Sequence, residues 1–316
     1  MSFAGGIVNK IQAAVASRRA SPLELPLELE TDDFSRDFPA WHFSMVNDHK
    51  RNSVIEKAIA AMNPAGKTVV EIGTGTGLIA LLFARYGAAR VVSCELNKNL
   101  ADIAREIIAQ TPFHNRIEVI HASSTMAIRR GLLPRSPDII FTETLDCGVV
   151  GEGFFSIARD IEELAAPHTQ IMPMKVRQRA IVIDSSAIAD LNRSGVACGF
   201  DLQAFNRFST KNYFPIHAEL HKHRCLTEAQ VVREFTYINC AEAELVPVVT
   251  LENGIAHGLL SWFEANFGGA MTTNEPFSGS HWHQAFHPFQ NELRVRAGQE
   301  LDIRIDDGGF ASILLS

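Results

Sequence analysis

No run of apolar residues in this sequence approaches the ~18 uninterrupted positions that a membrane helix needs, and the amino terminus lacks the basic start and apolar stretch of a signal peptide. Cysteine is scarce and scattered. Cys94, Cys147, Cys198, Cys225 and Cys240 are odd in number, far apart and without a C-x-x-C pair, so neither a disulfide framework nor a structural zinc site is expected. Positive charge is in deficit, with a formal net charge of −7, which argues against a chain built to coat nucleic acid or anionic membrane. What remains is ordinary: 316 residues, 46% hydrophobic and 21% charged, which exclude disorder and coiled coil as whole-chain descriptions and suffice for two packed domains. A reducing, cytoplasmic setting is expected, with small molecules or basic proteins as partners.

The pattern along the chain changes twice. Residues 1–37 carry Phe3, Ile7, Ile11 and Val15 at four-residue spacing, the mark of a short amphipathic helix, followed by a Pro-interrupted stretch. From Lys67 to about 174, β-branched runs (Thr68–Ile72, Arg90–Glu95, Arg116–Ile120, Asp138–Thr142) alternate with helical ones. This rhythm predicts a parallel, doubly wound α/β sheet, because parallel neighbours need crossover connections. From about 175 to 316 short alternating runs such as Val176–Ile183, Gly258–Phe263 and Leu301–Ile305 predict an antiparallel half packed rigidly on the first.

A cofactor site is expected where the first strand meets its helix. Glu71-Ile-Gly73-Thr-Gly75-Thr-Gly77 lets a ligand approach the backbone, and Glu95, 22 residues beyond Gly73 at the end of the second strand, stands where a carboxylate binds ribose hydroxyls. No Lys-Ser/Thr pair follows the glycines, which excludes a triphosphate-binding P-loop. The acidic start at Glu71 suits a nucleoside cofactor with a cationic amino-acid end, S-adenosylmethionine rather than NAD.

The fourth strand runs into Thr142-Glu143-Thr-Leu-Asp146-Cys147-Gly-Val-Val-Gly-Glu152-Gly153. Glu143 and Glu152, nine residues apart in a Gly-rich loop, can turn both carboxylates into one cavity. Two such anions need a cation between them, and a guanidinium pairs with a carboxylate bidentately. A solvated loop with ordinary surface acids is the plainer alternative.

Here the sequence resembles the protein arginine methyltransferases, and looks closest to their monomethylating, type III, branch or to a bacterial free-arginine relative. The resemblance rests on Trp41-His-Phe-Ser-Met45-Val-Asn-Asp48-His-Lys-Arg51-Asn, on Val70 to Gly77, on the double-glutamate loop, on Gly199-Phe-Asp201 and on Ser278-Gly-Ser-His281-Trp282. It implies a Rossmann-like cofactor domain followed by a β-barrel-like domain, a dimerisation arm near 183–208, and a homodimer. It also implies that Arg51 grips the cofactor carboxylate, Glu95 the ribose, and Glu143 with Glu152 the acceptor guanidinium. Met45 would line the methyl-transfer channel, and Asp48 would meet His281 across the active site. Two departures are visible: Ser280 replaces the family's usual threonine, and an adenine-binding acid is replaced within Ser123-Ser124-Thr125-Met126, leaving Ser124 on the cofactor side.

Such a site would act by position and charge. A cationic methyl donor and a cationic acceptor repel each other, and the carboxylates offset that repulsion while directing one guanidino nitrogen at the methyl group. His281, oriented by Asp48, is the candidate proton relay, with one of the glutamates as the alternative. Trp282 is a candidate acceptor contact, and core packing is its other reading. His281, His283 and His287, and the group His217, His221 and His223, are read as packing or surface positions apart from His281, with no metal expected. The acceptor is free L-arginine or arginine in a peptide; the other classes weighed are a non-catalytic cofactor-binding partner subunit and a methyltransferase for a different amine.

Overall fold

The computed structural model describes residues 39–315; the amphipathic pattern expected at residues 3–15 lies outside them. Two helices come first, α1 (Trp41–Val46) and α2 (His49–Ala61). Asp48 caps α2, its carboxylate accepting the Arg51 backbone N–H at 2.9 Å, as an N-cap aspartate does for an otherwise orphaned donor.

Five parallel strands follow: β1 (Thr68–Ile72), β2 (Arg90–Glu95), β3 (Ile117–His121), β4 (Ile139–Thr142) and β5 (Gln170–Met172), in the order β3-β2-β1-β4-β5. The crossovers carry α3 (Leu78–Arg85), α4 (Lys98–Ala109), α5 (Ser124–Arg129) and α6 (Phe154–Leu164). Val69, Val70, Ile139, Ile140 and Phe141 are buried, as in strands covered on both faces, and the buried Glu71 interrupts the apolar run of β1. Four of these strands were expected. The fifth has three residues and no β-branched run beyond Ile171, too short a signal to stand out. Because β2 and β4 flank β1, the loops leaving β1 and β4 part company at its carboxyl end, and this topological switch point opens the cleft in which α/β sheets bind ligands.

The second domain is antiparallel. A seven-stranded sheet is centred on β6 (Lys175–Asp184) and on two long strands, Gly254–Asn266 and Gln284–Val295; a separate three-stranded sheet joins Val246–Val249, Glu300–Ile305 and Ala311–Leu315. The described strands therefore pair in open paths, where a barrel-like domain was expected. Val182, Leu259, Val295, Leu301 and Ile303 fill the space between the two sheets.

Between β6 and the strand Phe214–Ile216 lies a segment with a short helix, Ser186–Ala189, a two-residue hairpin pairing Val196–Ala197 with Phe200–Asp201, and a 3-10 turn, Gln203–Phe208. It leaves Val196, Phe200, Leu202, Phe205 and Phe208 exposed. Among the described residues no helix is long and apolar enough to cross a membrane.

Candidate active site

The glycine loop after β1 is fixed from the strand side. Gly73 and Thr74 donate their backbone N–H groups to the Cys94 carbonyl, at 2.9 and 3.2 Å. Glu95 accepts the Gly75 N–H on one oxygen at 2.9 Å and the Asn97 N–H on the other at 2.8 Å. Its carboxylate is thus held rigidly at the cleft with lone pairs to spare, which suits a pair of ribose hydroxyls. Met45 sits over the same loop: a Cβ added to Gly75 would lie 3.8 Å from its methyl carbon.

Glu71 is fully buried beneath the glycines. Ser93 donates to its Oε2 at 2.6 Å and shares a hydrogen bond with Thr74, while Oε1 has no partner. Burial, helped by the neighbouring charges of Glu95 and Glu143, pushes its carboxyl up to about 8 despite the opposing Ser93 hydrogen bond and Arg51 charge. A buried carboxylate oxygen without a donor is a place for a cation. Glu71, the glycines and Glu95 together fit a nucleoside cofactor with an ammonium group.

The side expected to take the acceptor is built on the β4 loop. Arg51, on α2, reaches across to Glu143 through a fork, with Nε 2.6 Å from Oε1 and Nη2 on Oε2; both side chains are about 95% shielded from solvent. Burial alone would lower the guanidinium, but Glu143 holds it above its ordinary value. Glu152 closes the loop. It is exposed to solvent at its outer part, yet the surrounding protein and the charges of Asp146, Glu143 and Glu95 push its carboxyl up to about 7. Glu143, Asp48 and Glu71 act on the one paired cation, Arg51, and Asp146, Glu143 and Glu95 act on Glu152, so acids outnumber cations here, an excess that fits two cationic reactants.

His281 and Asp48 meet as expected. The imidazole Nδ1 lies 2.9 Å from Asp48 Oδ2, which also accepts the His281 backbone N–H at 3.2 Å, and the imidazole Nε2 is buried without a partner. Asp48 is kept below the ordinary carboxylate range: burial would raise it, but the Arg51 and His281 hydrogen bonds outweigh that. His281 is lowered, chiefly by burial. Neutral His281 donating from Nδ1 presents Nε2 as a base.

Ser124 and Trp282 both make hydrogen bonds within the protein, and Trp282 also lies beside His281 and Arg51. Ser124 donates to Asp160 on α6 at 2.5 Å, with Thr125 on the same oxygen at 2.8 Å, so the hydroxyl is committed between two helices. Trp282 donates its indole N–H to the Leu145 carbonyl at 2.8 Å and packs edge-on against Phe263, the core role weighed beside acceptor contact. It holds the acceptor loop up from the antiparallel side. His287 is buried against Ser261 and the Gly309 carbonyl, and the tilted rings of His217 and His283 lie with centroids 4.1 Å apart. Among the described residues no group of three His, Cys, Asp or Glu could hold a metal ion.

Sequence reasoning passed over Ser93, Asp146 and Tyr213. Asp146 lay inside the loop that was singled out, so its acidity could have been weighed. Ser93 and Tyr213 carry no local signal, because their partners lie 22 and 67 residues away.

A switch-point cleft with a glycine loop, a ribose-type carboxylate and an anionic acceptor loop defines a Rossmann-like methyltransferase with an added antiparallel domain. Residues 168–307 match the family model for the arginine methyltransferase oligomerization subdomain, and residues 45–143 match one described as O-methyltransferase. The chain is 34% identical to the arginine N(omega)-methyltransferase of Streptomyces achromogenes subsp. streptozoticus, over 94% of this chain and 86% of that one. It is 38% identical to mouse protein arginine N-methyltransferase 9 over 36% of this chain and 14% of that protein. Among solved structures it resembles the Trypanosoma brucei PRMT1 enzyme–prozyme complex with AdoHcy (TM-score 0.70, 21% identity, covering 84% of this chain and 87% of that one). Arabidopsis thaliana protein arginine methyltransferase 10 is similar too (TM-score 0.66, 19% identity, 85% and 88%). The chain belongs to the arginine N-methyltransferases and is an enzyme of that class.

Proposed function

We propose that this enzyme transfers one methyl group from S-adenosylmethionine to a terminal guanidino nitrogen of free L-arginine. The observation that carries the reading is the pairing of the Arg51–Glu143 fork with Glu152, a second carboxylate that has no cation of its own among the described residues. Glu143 shows its appetite for a guanidinium on Arg51 and keeps outer lone pairs for another; Glu152 supplies the opposing grip. Free arginine as acceptor is supported by the similarity to the Streptomyces relative, which covers 86% of that protein and whose name gives arginine as the group methylated.

The bound cofactor supplies an activated methyl group on a sulfonium. Glu71 takes the ammonium end, Arg51 the carboxylate end, Glu95 the ribose, and Met45 with the glycine loop walls the donor side. Glu143 and Glu152 hold the acceptor flat, localise its positive charge on the nitrogens they touch and leave the remaining nitrogen to attack in line. His281 Nε2, or Glu152, accepts the proton that the methylated nitrogen then sheds. The exposed apolar residues of the 186–208 segment form the face by which two copies associate as a homodimer.

Mass spectrometry of products from free L-arginine, set beside a Gly/Arg-rich peptide, tests the reading. Monomethylarginine from the free amino acid is expected, and methylation confined to the peptide would refute the choice of acceptor.

A further inference from the structure

One acid of the acceptor loop has no part in the scheme above. Asp146 sits half-buried between the two glutamates, and its Oδ1 accepts the Gly151 N–H at 3.0 Å, one residue before Glu152. Its Oδ2 accepts the Tyr213 hydroxyl at 2.8 Å. Tyr213 belongs to the other domain, just after the apolar segment, whose base is tied by Asn192 to Thr210 through hydrogen bonds of 2.6 and 2.8 Å. The ring is wedged against the acceptor loop so closely that a Cβ on Gly148 would lie 2.5 Å from it, and its other side rests on His287 with ring centroids 5.1 Å apart. Gln178 and Asn274 reach the Gly148 and Cys147 carbonyls at 3.5 and 3.4 Å, and Val149 takes a left-handed backbone at φ 76°, costly for a β-branched residue, which the surrounding packing must enforce.

We propose that Asp146 and Tyr213 are a pair of positioning residues for Glu152, tying the end of the acceptor loop to the antiparallel domain and placing a third anion behind the acceptor carboxylates. This rests on the reading that Glu152 holds the acceptor. The tyrosine hydroxyl and the Gly151 N–H keep Asp146 in place, and Asp146 in turn fixes the turn from which Glu152 projects. Burial raises Asp146, while these hydrogen bonds oppose the rise. The groups facing Glu152 are Asp146, Glu143 and Cys147 from its own loop, Glu95 from β2 and Tyr213 from the antiparallel domain; Arg51 is taken up by Glu143. Burial raises Glu152 most and Asp146 is the first of the charges adding to that rise, so the pair both positions that carboxylate and adds to the pH at which it becomes an anion.

Two variants separate position from charge. Tyr213→Phe removes the anchoring hydroxyl and keeps the ring; kcat/KM for the acceptor is expected to fall by about tenfold, the scale of one charge-assisted hydrogen bond, with cofactor affinity unchanged. Asp146→Asn keeps the bond from Gly151 and a bond to Tyr213 but deletes the charge, so the acidic limb of the kcat/KM profile is expected to move to lower pH, a shift that a merely structural role does not produce. Cofactor binding by titration and thermal unfolding establish that each variant is folded. Wild-type kcat/KM in Tyr213→Phe together with an unmoved limb in Asp146→Asn overturns the proposal. Wild-type turnover in Glu152→Gln instead overturns the acceptor reading beneath it.

Discussion

Arg51 and Glu143 form a buried fork that joins helix α2 to the end of strand β4, so the carboxylate proposed to face the acceptor also fixes the arginine proposed to grip the cofactor. Donor and acceptor sites are electrostatically one object. Breaking such a pair leaves an uncompensated buried charge, which costs ~3–5 kcal/mol. Glu143→Gln is expected to lower kcat by about 10²–10³-fold and to weaken cofactor binding as well, readable from steady-state kinetics and a binding titration. Arg51→Lys should lose cofactor affinity despite keeping the charge, because a single ammonium cannot make the two parallel bonds.

The pH dependence follows from Glu152. Its carboxyl, pushed up to about 7, must lose its proton before it can hold a cation, so kcat/KM should rise with pH through about 7 and level off above. A bound guanidinium favours the charged carboxylate, so the corresponding limb in kcat should lie at lower pH. Glu152→Gln should flatten the profile at a low level. A limb that persists in that variant would assign the titration to another group.

His281 and Asp48 make a separable contribution. His281→Gln is expected to lower kcat by about 10²-fold, the low end of general base catalysis. Asp48→Asn preserves a capping oxygen for α2 but no longer accepts the Nδ1 proton in the same way, so turnover should drop while the melting temperature changes little. A parallel loss of stability would mean that the two hydrogen bonds from His281 to Oδ2 hold the fold as well as orient the imidazole.

Glu71 predicts a stability effect. Its carboxyl is raised from an ordinary 4.5 to about 8 by burial, so the folded state binds a proton that the unfolded state has released. The resulting stability is complete below pH about 4.5 and is lost as pH rises through about 8. Glu71→Gln, neutral throughout, should therefore melt higher than the wild type at about pH 9, while its affinity for the cationic cofactor falls. Calorimetry in buffers of different ionisation enthalpy should register proton release when the wild type binds cofactor near neutral pH.

Much of this was legible in the chain because it is local. The β-branched run Thr68–Ile72, the glycines after it and Glu95 at the next strand's end obey short-range rules of geometry, and the structure brings them together at the cleft. Asp48 with His281 came from family resemblance, across 233 residues that no periodicity spans. Other features escaped because they are relations rather than motifs. The use of Glu143 by Arg51 depends on where α2 lies over the sheet. The commitment of Ser124 to Asp160 depends on how two crossover helices pack, and Tyr213 on a contact between domains. The open pairing of the antiparallel strands likewise depends on long-range register, including the shift between Ala256 and Gly258, which alternation along one strand does not reveal.

The left-handed Gly73, at φ 90°, has Thr144 for a neighbour: a methyl group added there would stand 2.8 Å from the threonine Cγ2. The glycine loop after β1 and the start of the double-glutamate loop therefore pack against each other with no room for a side chain at position 73. Divergence toward a bulkier acceptor has to proceed from the opposite side, through the antiparallel domain, where side chains change without disturbing the methyl donor's seat.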